Sequence, residues 1–415
     1  MIGDYANLAG PMKVLFLAYW YPQADRPYYG IFVREHAKAV RSAGDEVVVL
    51  HVPGEQADTR WLWRMKKESD PTLSEGIPTY HVQCRRVSIP RLGPLSHWIS
   101  YSIYLWSSVA AFRRLRKMGF RPDVIHAHVW NSGLPAALIS RLTGLPFVVT
   151  EHSSSFPRRT LSKQALGQAR FALERADLVL PVSAELERAI FDYGIKARFK
   201  VVPNAVDTSI FYCARRITMA GEPMRMIFVG YLEPTEIKGF PTLVKALVSL
   251  RERRTDWRLD VVGDGPSRAD YERVVAESGL DGAVAFHGSR PKTAIAAMMR
   301  ESDLFVLPSR FENLPCVIIE GMTSGLPVVS TAVGGIPELV SERDGVLVPP
   351  ETPALLADAL DRVLSNLTGF DRDEIAARAR DRYGLAVVGA QFDAIYESVL
   401  ASRRKPAVVP GSTEP

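Results

Sequence analysis

Two glutamates and a glycine pair form the part of the sequence best suited to chemistry. Glu312 follows the short apolar run 303–307, and Glu320 lies eight positions further on, inside a segment with the apolar spacing of a helix. Gly334 and Gly335 come next, at the start of another helical pattern, where free backbone N–H groups attract phosphate. The pattern therefore suits a nucleotide-sugar site, with one carboxylate at a sugar and the other at a ribose.

The elements that must position these residues alternate along the chain. Short apolar runs separate segments with helical spacing, which predicts parallel sheets covered by helices on both faces. The predicted strands of the first half are 14–18, 47–51, 124–127, 147–150, 178–181 and 200–202. Those of the second half are 226–229, 259–262, 284–286, 304–307, 328–330 and 346–348. Two doubly wound domains place a ligand in the cleft between the carboxyl ends of their strands.

Length and composition limit the class of protein. A chain of 415 residues with 47% hydrophobic and 23% charged residues fits two soluble globular domains. The longest apolar stretch, 95–115, is interrupted by polar and basic residues and is too broken to span a membrane. The run 14–18 is too short for a secretion signal, so we expect a cytoplasmic protein. Cys84, Cys213 and Cys316 have no metal-ligand spacing, which favours buried thiols in a reducing compartment.

The stretch 309–340 resembles the Glu-x7-Glu signature of the retaining glycosyltransferases of family 4, which have a GT-B fold. The resemblance extends over residues 12–400. It implies two doubly wound Rossmann-like domains that face a central cleft. It also implies transfer of a sugar from a nucleotide diphosphate sugar to an acceptor hydroxyl, without a metal ion or another cofactor.

The turn-rich stretch that begins at Pro203-Asn204 divides the chain. We predict an acceptor-side domain at 1–207 and a nucleotide-sugar-binding domain at 208–385. A C-terminal helix at 386–404 is predicted to cross back to the first domain, and the Pro/Gly-rich tail 405–415 is predicted to be disordered.

The resemblance assigns roles in the second domain. Lys238 matches a lysine that grips the diphosphate, while Tyr231 stands where the family usually has an arginine. Arg290 is therefore the candidate for a compensating cation, because the leaving diphosphate needs charge stabilisation. The donor-binding residues are predicted to be Gly30, Tyr231, Lys238, Gly263, Arg290, Glu312, Asn313, Leu314, Glu320, Gly334 and Gly335.

Histidines mark the first domain's side of the cleft. By resemblance, His128 lies near the reacting sugar and forms the catalytic set with Glu312 and Lys238. His152 ends the next predicted strand and is expected on the acceptor side. His126 and His128 point to one side of a strand, but spacing suggests no third ligand, so we predict no metal site.

Three other functions stay open. A sugar-nucleotide epimerase could share the fold, and a non-catalytic sugar-nucleotide-binding subunit could share the site. A dinucleotide-dependent oxidoreductase is disfavoured because no complete G-x-G-x-x-G opens either half. The start of the first helical pattern, 32–36, resembles transferases of bacterial surface-polysaccharide assembly, which implies a lipid-linked or cell-surface saccharide acceptor.

Charge is uneven along the chain, whose net charge is +5. Residues 1–210 hold 27 Lys and Arg against 18 Asp and Glu, so this half should face an anionic partner other than nucleic acid. Aromatic and basic residues mix in 61–67, which reads as a loop, and in 98–117. We therefore predict docking on the inner face of the cell membrane, although 98–117 could also be a helix packed on the sheet.

Overall fold

Two α/β units follow one another in this computed structural model, which describes residues 10–53, 61–85, 93–214 and 221–404. The predicted tail, 405–415, lies outside these ranges. Each unit is built on one sheet, with seven strands in the first and six in the second. The arrangement is the predicted pair of doubly wound domains.

The first sheet has the order β3-β4-β2-β1-β5-β6-β7, and only the edge pair β3–β4 is antiparallel. Its strands are β1 (Lys13–Ala18), β2 (Glu46–His51), β3 (Trp63–Lys67), β4 (Thr79–Cys84), β5 (Val124–His128), β6 (Phe147–Glu151) and β7 (Leu178–Pro181). Burial on both faces explains their continuous apolar runs. Leu15 and Leu17 of β1 belong to one core cluster, whereas Val14 and Phe16 belong to the other.

Helices cover both faces of this sheet. They are α1 (Ile31–Ser42), α2 (Pro71–Ser74), α3 (Gly93–Lys117), α4 (Trp130–Thr143), α5 (Lys163–Leu173) and α6 (Ala184–Phe191). Helix α1 packs on the face of Val14 and Phe16, while α3, α4 and α5 contribute to the core on the face of Leu15 and Leu17. Helix α4 packs directly against both α3 and α5.

The second sheet is parallel in every described strand pair and has the order β10-β9-β8-β11-β12-β13. Its strands are β8 (Met224–Val229), β9 (Trp257–Val262), β10 (Val284–Gly288), β11 (Leu304–Leu307), β12 (Val328–Thr331) and β13 (Gly345–Val348). This order is that of dinucleotide-binding sheets, in which the strand order reverses between the two central strands. Here the reversal lies between β8 and β11.

The second domain's helices are α7 (Phe240–Arg251), α8 (Arg268–Glu277), α9 (Lys292–Arg300), α10 (Cys316–Thr323), α11 (Ile336–Leu339), α12 (Pro353–Ser365) and α13 (Arg372–Tyr383). The last helix, α14 (Leu385–Arg404), packs along α1 of the first domain. Gly389 makes this packing close, because a side chain there would meet the carbonyl oxygen of Ala39. Phe392 and Tyr396 then complete the core under α1.

Two local predictions were wrong. Residues 63–67, expected in a loop, form edge strand β3, which pairs with β4 over residues that alternate in burial. Residues 200–202, expected as a strand, run beside β7 with two backbone hydrogen bonds, at 3.0 and 3.1 Å, and form no strand. Pro203 follows at once, and a proline disfavours continuation of a regular element. Among the described helices, none is long and apolar enough to cross a membrane.

Candidate active site

The cleft between the two sheets contains two adjoining cavities. Both lie where strands of the second sheet lead into loops that face α1 and the carboxyl ends of β5 and β6. The Glu320 cavity has a volume of about 280 Å³, and the Glu312 cavity one of about 400 Å³. Both are lined by Ile31, Cys316 and Val317, so one extended ligand can occupy both.

Most of the predicted site residues line these cavities. The Glu320 cavity contains Tyr231, Gly263, Arg290 and Glu320. The Glu312 cavity contains His152, Lys238, Glu312, Asn313 and Leu314. The predicted residues that line neither cavity are Gly30, His128, Gly334 and Gly335.

Glu312 and Lys238 form an ion pair in the Glu312 cavity. The lysine Nζ lies 2.6 Å from Glu312 Oε1, which also accepts a 2.8 Å hydrogen bond from Ser309. A tight turn brings the lysine there. Gly239 has φ 68°, and a Cβ at this position would lie 1.7 Å from the carbonyl oxygen of Pro308. Only glycine permits this contact between the loops after β8 and β11.

Glu320 shares a cation with a glutamate of the first domain. Lys292 Nζ lies 3.2 Å from Glu320 Oε1 and 3.2 Å from Oε1 of Glu35 on α1. Both glutamates are buried. Burial raises the pKa of Glu320. Burial alone would lower the pKa of Lys292, but the two carboxylates outweigh it and raise that pKa above its ordinary value. Lys292 thus joins the domains at the cleft.

Arg290 and Tyr231 lie at the exposed side of the Glu320 cavity. Both side chains are exposed, and the Arg290 carbonyl accepts a 2.8 Å hydrogen bond from the Tyr28 hydroxyl of the first domain. Gly263 must be glycine, because it has φ 143° and a Cβ there would lie 1.8 Å from the Gly230 carbonyl oxygen. Lys292 is the buried cation of this cavity, and Arg290, the predicted compensating cation, lines the same cavity with an exposed side chain.

The glycine pair packs directly against the backbone of the loop that carries Glu312. A Cβ on Gly334, whose φ is 53°, would lie 1.7 Å from the Glu312 carbonyl oxygen. The N–H of Gly335 donates to the Asn313 carbonyl at 2.8 Å, so it is not available to a phosphate. Donor binding by these two residues stays a prediction, because the packing of the loops already accounts for both glycines. Their role is to let two loops pack in direct backbone contact.

Hydrogen bonds to the first domain and to the stretch that begins at Pro203-Asn204 also hold the loop that carries Glu312. The Asn313 amide donates to the His152 carbonyl at 2.5 Å, and the buried Asn204 amide donates to the Leu314 carbonyl at 2.8 Å. These bonds cross between the sheets. Any change in domain orientation must therefore move the loop that carries Glu312, or break them.

Four histidine rings form a buried cluster on the first domain's side. His126 and His128 stack with ring centroids 4.3 Å apart, and His152 stacks on His128 at 5.7 Å. Burial lowers the pKa of His36 to about 4 and lowers the pKa values of the other three well below their ordinary range. The rings are therefore neutral at pH 7. Of the four, only His152 lines a cavity, while His128 is fully buried beneath it.

The three rings of His36, His128 and His152 bring ligand nitrogens within 4.8 Å of one another. Sequence spacing gave no third ligand for His128, because His36 lies on α1, far away in the chain. Nδ1 of His36 and Nε2 of His128 are buried without a hydrogen-bond partner. Neutral imidazoles in this grouping have the chemistry of a Zn²⁺ site, while the absence of a metal ion stays a prediction.

Two family models match the chain in series. One, described as "Glycosyl transferase 4-like domain", matches residues 29–205, and the other, "Glycosyl transferases group 1", matches residues 223–366. Together they span most of the chain and both sheets. The chain belongs to this glycosyltransferase family.

Relatives and solved structures agree with this assignment. The chain is similar to a glycogen synthase of Mycobacterium tuberculosis, with 27% identity over 89% of this chain and 90% of the relative. It is also similar to the putative teichuronic acid biosynthesis glycosyltransferase TuaC of Bacillus subtilis, with 28% identity over 92% of this chain and 95% of TuaC. HepE of Anabaena in complex with UDP has a TM-score of 0.70 at 23% identity, covering 93% of this chain and 100% of that one. The chain is a glycosyltransferase with the GT-B fold.

Glu151 positions the histidines of this glycosyltransferase and was missed in the sequence. Its buried carboxylate accepts hydrogen bonds from the N–H groups of Trp130, His152 and Ser153, at 2.8, 2.9 and 2.6 Å. Burial raises its pKa to about 7, although these three donors favour the charged form. The adjoining Val129 has φ 70°, which is costly for a β-branched residue and marks a strained turn directly after His128.

Gly30 is explained by its own loop. It caps α1 at φ 68°, and a Cβ there would lie 2.5 Å from the Trp20 carbonyl carbon. Its predicted contact with the donor is not needed to account for the glycine. The next residue, Ile31, is the one that lines both cavities of the glycosyltransferase. Glu35 and Lys292 could not be paired from sequence, because they lie in different domains.

Proposed function

We propose that the chain transfers a sugar from a nucleotide diphosphate sugar to an acceptor hydroxyl, with retention of anomeric configuration. One observation carries this proposal. The two adjoining cavities combine a buried Glu320–Lys292 pair with a Glu312–Lys238 pair, so a ribose and a sugar can each meet a carboxylate. The lysines supply positive charge between them, as a diphosphate requires. HepE, a structural neighbour, has also been solved with UDP-glucose.

The proposed reaction uses one face of the sugar. The bond between the anomeric carbon and the diphosphate oxygen breaks, and Lys238 stabilises the charge that grows on the leaving group. The acceptor oxygen forms its bond on the same face, and its proton passes to the departing phosphate. Glu312 orients sugar hydroxyls and is already held by Lys238 and Ser309. A separate carboxylate pair of the kind that glycosidases use is not required.

We propose a lipid-linked or cell-surface saccharide precursor as acceptor. The name of TuaC refers to teichuronic acid biosynthesis, which is consistent with such an acceptor. His152 faces the Glu312 cavity from the first domain and is our candidate for an acceptor contact. Its Nε2 lies 3.5 Å from Nδ1 of His128, which leaves Nδ1 of the neutral imidazole to form a hydrogen bond with a hydroxyl.

Product analysis tests this function. Purified protein is incubated with UDP- and GDP-sugars, with and without lipid-extracted saccharide acceptors, and nucleotide release and the anomeric proton couplings of the product are followed by NMR. Retention in an acceptor-dependent product supports the proposal. Inversion would contradict the mechanism. Conversion of the donor without an acceptor would indicate an epimerase, and binding without turnover a non-catalytic subunit.

We propose that transfer needs no metal ion. Lys238 and Lys292 supply cations in both cavities, which supports this view. Activity should therefore be unchanged in EDTA. Loss of activity restored by Mn²⁺ or Mg²⁺ would contradict the proposal, and restoration by Zn²⁺ alone would point to the three-histidine cluster.

We propose that the first domain docks on an anionic membrane. Trp61, Trp98 and Trp106 are each about half exposed on or beside β3 and α3. Trp63 packs edge-on against Trp106 at 6.0 Å, which joins the strand to the helix. Tryptophan favours the membrane interface, and the basic residues of 98–117 favour an anionic leaflet. Flotation with anionic vesicles at low salt, but not with neutral vesicles, is expected. Absence from both at every salt concentration would contradict docking.

A further inference from the structure

An open apolar groove lies on the first domain, on the outer side of α3, α4 and α5. Its volume is about 880 Å³, which is in the range of small-molecule sites. Trp98, Leu105, Leu138 and Phe171 contribute apolar walls. The side chains of Trp98 and Phe171 are exposed along it, with 55% and 45% of their surface accessible. The groove shares no residue with the two cleft cavities.

The helices around the groove are free of acidic residues. No Asp or Glu occurs in the sequences of α3, α4 and α5. Their basic residues are Arg113, Arg114, Arg116, Lys117, Arg141, Lys163 and Arg170. Arg141 and Arg175 line the groove itself, and neither forms an ion pair within the described part of the chain. Arg175 lies over the Phe171 ring at 3.8 Å. The groove therefore combines apolar walls with a positive potential.

The positive charge is concentrated at one end. Helices α3, α4 and α5 each come after a strand of the parallel part of the sheet. Each helix therefore runs back from the carboxyl edge of the sheet, where the cleft lies. Arg141 is in the last turn of α4, Arg175 follows the end of α5, and 113–117 ends α3. The basic end of the groove is thus the end away from the cleft. Exposed Met118 and Leu142 lie at the same end.

We propose that this groove binds one hydrocarbon chain of an anionic membrane lipid, with the phosphate of the lipid at Arg141 and Arg175. The apolar walls match the chain. The two guanidinium groups, which form no ion pair within the described residues although Arg175 donates to the Phe171 carbonyl at 3.3 Å, match the head group. A second copy of the chain is a poor occupant, because basic residues outnumber Glu174, the acidic residue that caps α5, and two such faces would repel each other. The groove shares no lining residue with the cleft cavities, so it holds an anchoring lipid and not the acceptor. The lipid would come from the membrane, so this inference rests on the proposed membrane docking.

Gly167 offers a matched pair of variants. It lies within α5 and lines the groove, and a Cβ there would meet no atom within 4 Å. Gly167→Phe adds a side chain to the groove, whereas Gly167→Ala removes the same glycine and leaves the groove open. Both favour a helix over glycine. Equal thermal unfolding midpoints for the two variants show that any difference in binding is not a folding defect.

The probes are hexyl, octyl and decyl phosphate below their critical micelle concentrations, and their binding is measured by titration calorimetry. Inorganic phosphate, which lacks the alkyl chain, and decanol, which lacks the phosphate, are the controls. We expect affinity to rise about tenfold for each added pair of methylenes, given about 0.8 kcal/mol for each buried CH₂. Gly167→Phe should bind decyl phosphate at least tenfold more weakly than wild type, and Gly167→Ala should match wild type. The double variant Arg141→Gln/Arg175→Gln should lose the preference for decyl phosphate over decanol.

Equal binding of decyl phosphate by wild type and Gly167→Phe would overturn the proposal. So would affinity independent of chain length, or a wild-type dimer in sedimentation that Gly167→Phe converts to monomer. Flotation decides membrane docking separately. If wild type binds decyl phosphate but floats with no vesicle, the groove stands and docking fails; if it floats without binding alkyl phosphate, docking stands and the groove assignment fails.

Discussion

The two domains line the same cleft with different chemistry. The first presents His152, which lines the Glu312 cavity and belongs to a buried cluster of four histidine rings whose pKa values are lowered by burial. The second presents charged pairs, Glu312 with Lys238 and Glu320 with Lys292. Neutral rings and ion pairs both allow polar groups to be buried without leaving an isolated charge.

The difference indicates a division of labour. A diphosphate donor carries charge that grows as its bond to the sugar breaks, so it needs fixed cations and carboxylates to hold its hydroxyls. An acceptor hydroxyl is neutral and needs only hydrogen-bonding partners. We therefore expect changes in the second domain to affect donor chemistry strongly. Changes in the first domain should act on the acceptor and on stability.

The largest effect is expected at Glu312. Glu312→Ala removes the carboxylate that would orient the sugar and leaves Lys238 without its partner at 2.6 Å. Misplacement of a reacting group can cost about a hundredfold or more in rate. We expect kcat to fall at least a hundredfold in a transfer assay, with the thermal unfolding midpoint within a few degrees of wild type.

Glu236→Ala is the matched control for that experiment. Glu236 belongs to the loop of Lys238 and pairs with Arg310 at the surface, where an ion pair contributes about 1 kcal/mol or less. Its transfer rate should stay near that of wild type. A Glu312→Ala enzyme with near-native turnover would break the proposed division between the domains.

A smaller effect, on the free energy of unfolding, is expected when Lys292, the lysine shared by Glu35 and Glu320, is replaced. Lys292→Met leaves the buried carboxylates of Glu35 and Glu320 without the lysine that lies 3.2 Å from each. Loss of one partner of a buried pair costs about 3 to 5 kcal/mol. The unfolding midpoint should fall, and the triple variant Lys292→Met/Glu35→Gln/Glu320→Gln should recover much of the loss. No recovery would show that Lys292 acts by packing and not by charge.

The free energy of unfolding should depend on pH through a buried histidine of the first domain. Burial lowers the pKa of His51, which is fully buried on β2, to about 3. Because the unfolded chain then binds the proton more readily, the stability due to this group is present above pH 6.5 and is lost as pH falls toward 3. Between pH 7.5 and pH 5 the loss is about 2 kcal/mol. Urea unfolding of His51→Asn should show a smaller decline over this range, and identical declines would contradict the prediction.

The sequence predicted the fold well because buried parallel strands have a strong apolar signal. Eleven of the twelve predicted strands overlap strands of the two sheets, as at 14–18 and 304–307. Strands β3 and β4 were missed because they lie at the sheet edge, where alternating exposure mixes charged residues with apolar ones. The segment 200–202 has strand composition, but Pro203 ends it after a few hydrogen bonds.

The sequence identified cavity-lining residues where they match a motif of the family, even when they lie far apart in the chain, as Lys238 and Glu312 do. Glu312, Glu320 and Lys238 belong to loops and a helix of one domain, and all three line the cavities. The contacts that tertiary packing creates could not be read from spacing. Lys292 meets Glu35 across the domain interface, and the glycine pair meets the Glu312 loop and not an open cavity.

The central claim is that the second domain holds the charge of the donor. The most direct test is calorimetric titration with whichever of UDP and GDP stabilises the wild-type protein, carried out on Lys238→Met and on His152→Gln. These residues line the same cavity from opposite domains. We expect Lys238→Met to raise the dissociation constant at least tenfold, about 1.4 kcal/mol, and His152→Gln to leave it nearly unchanged. A larger loss of affinity in His152→Gln than in Lys238→Met would contradict the account.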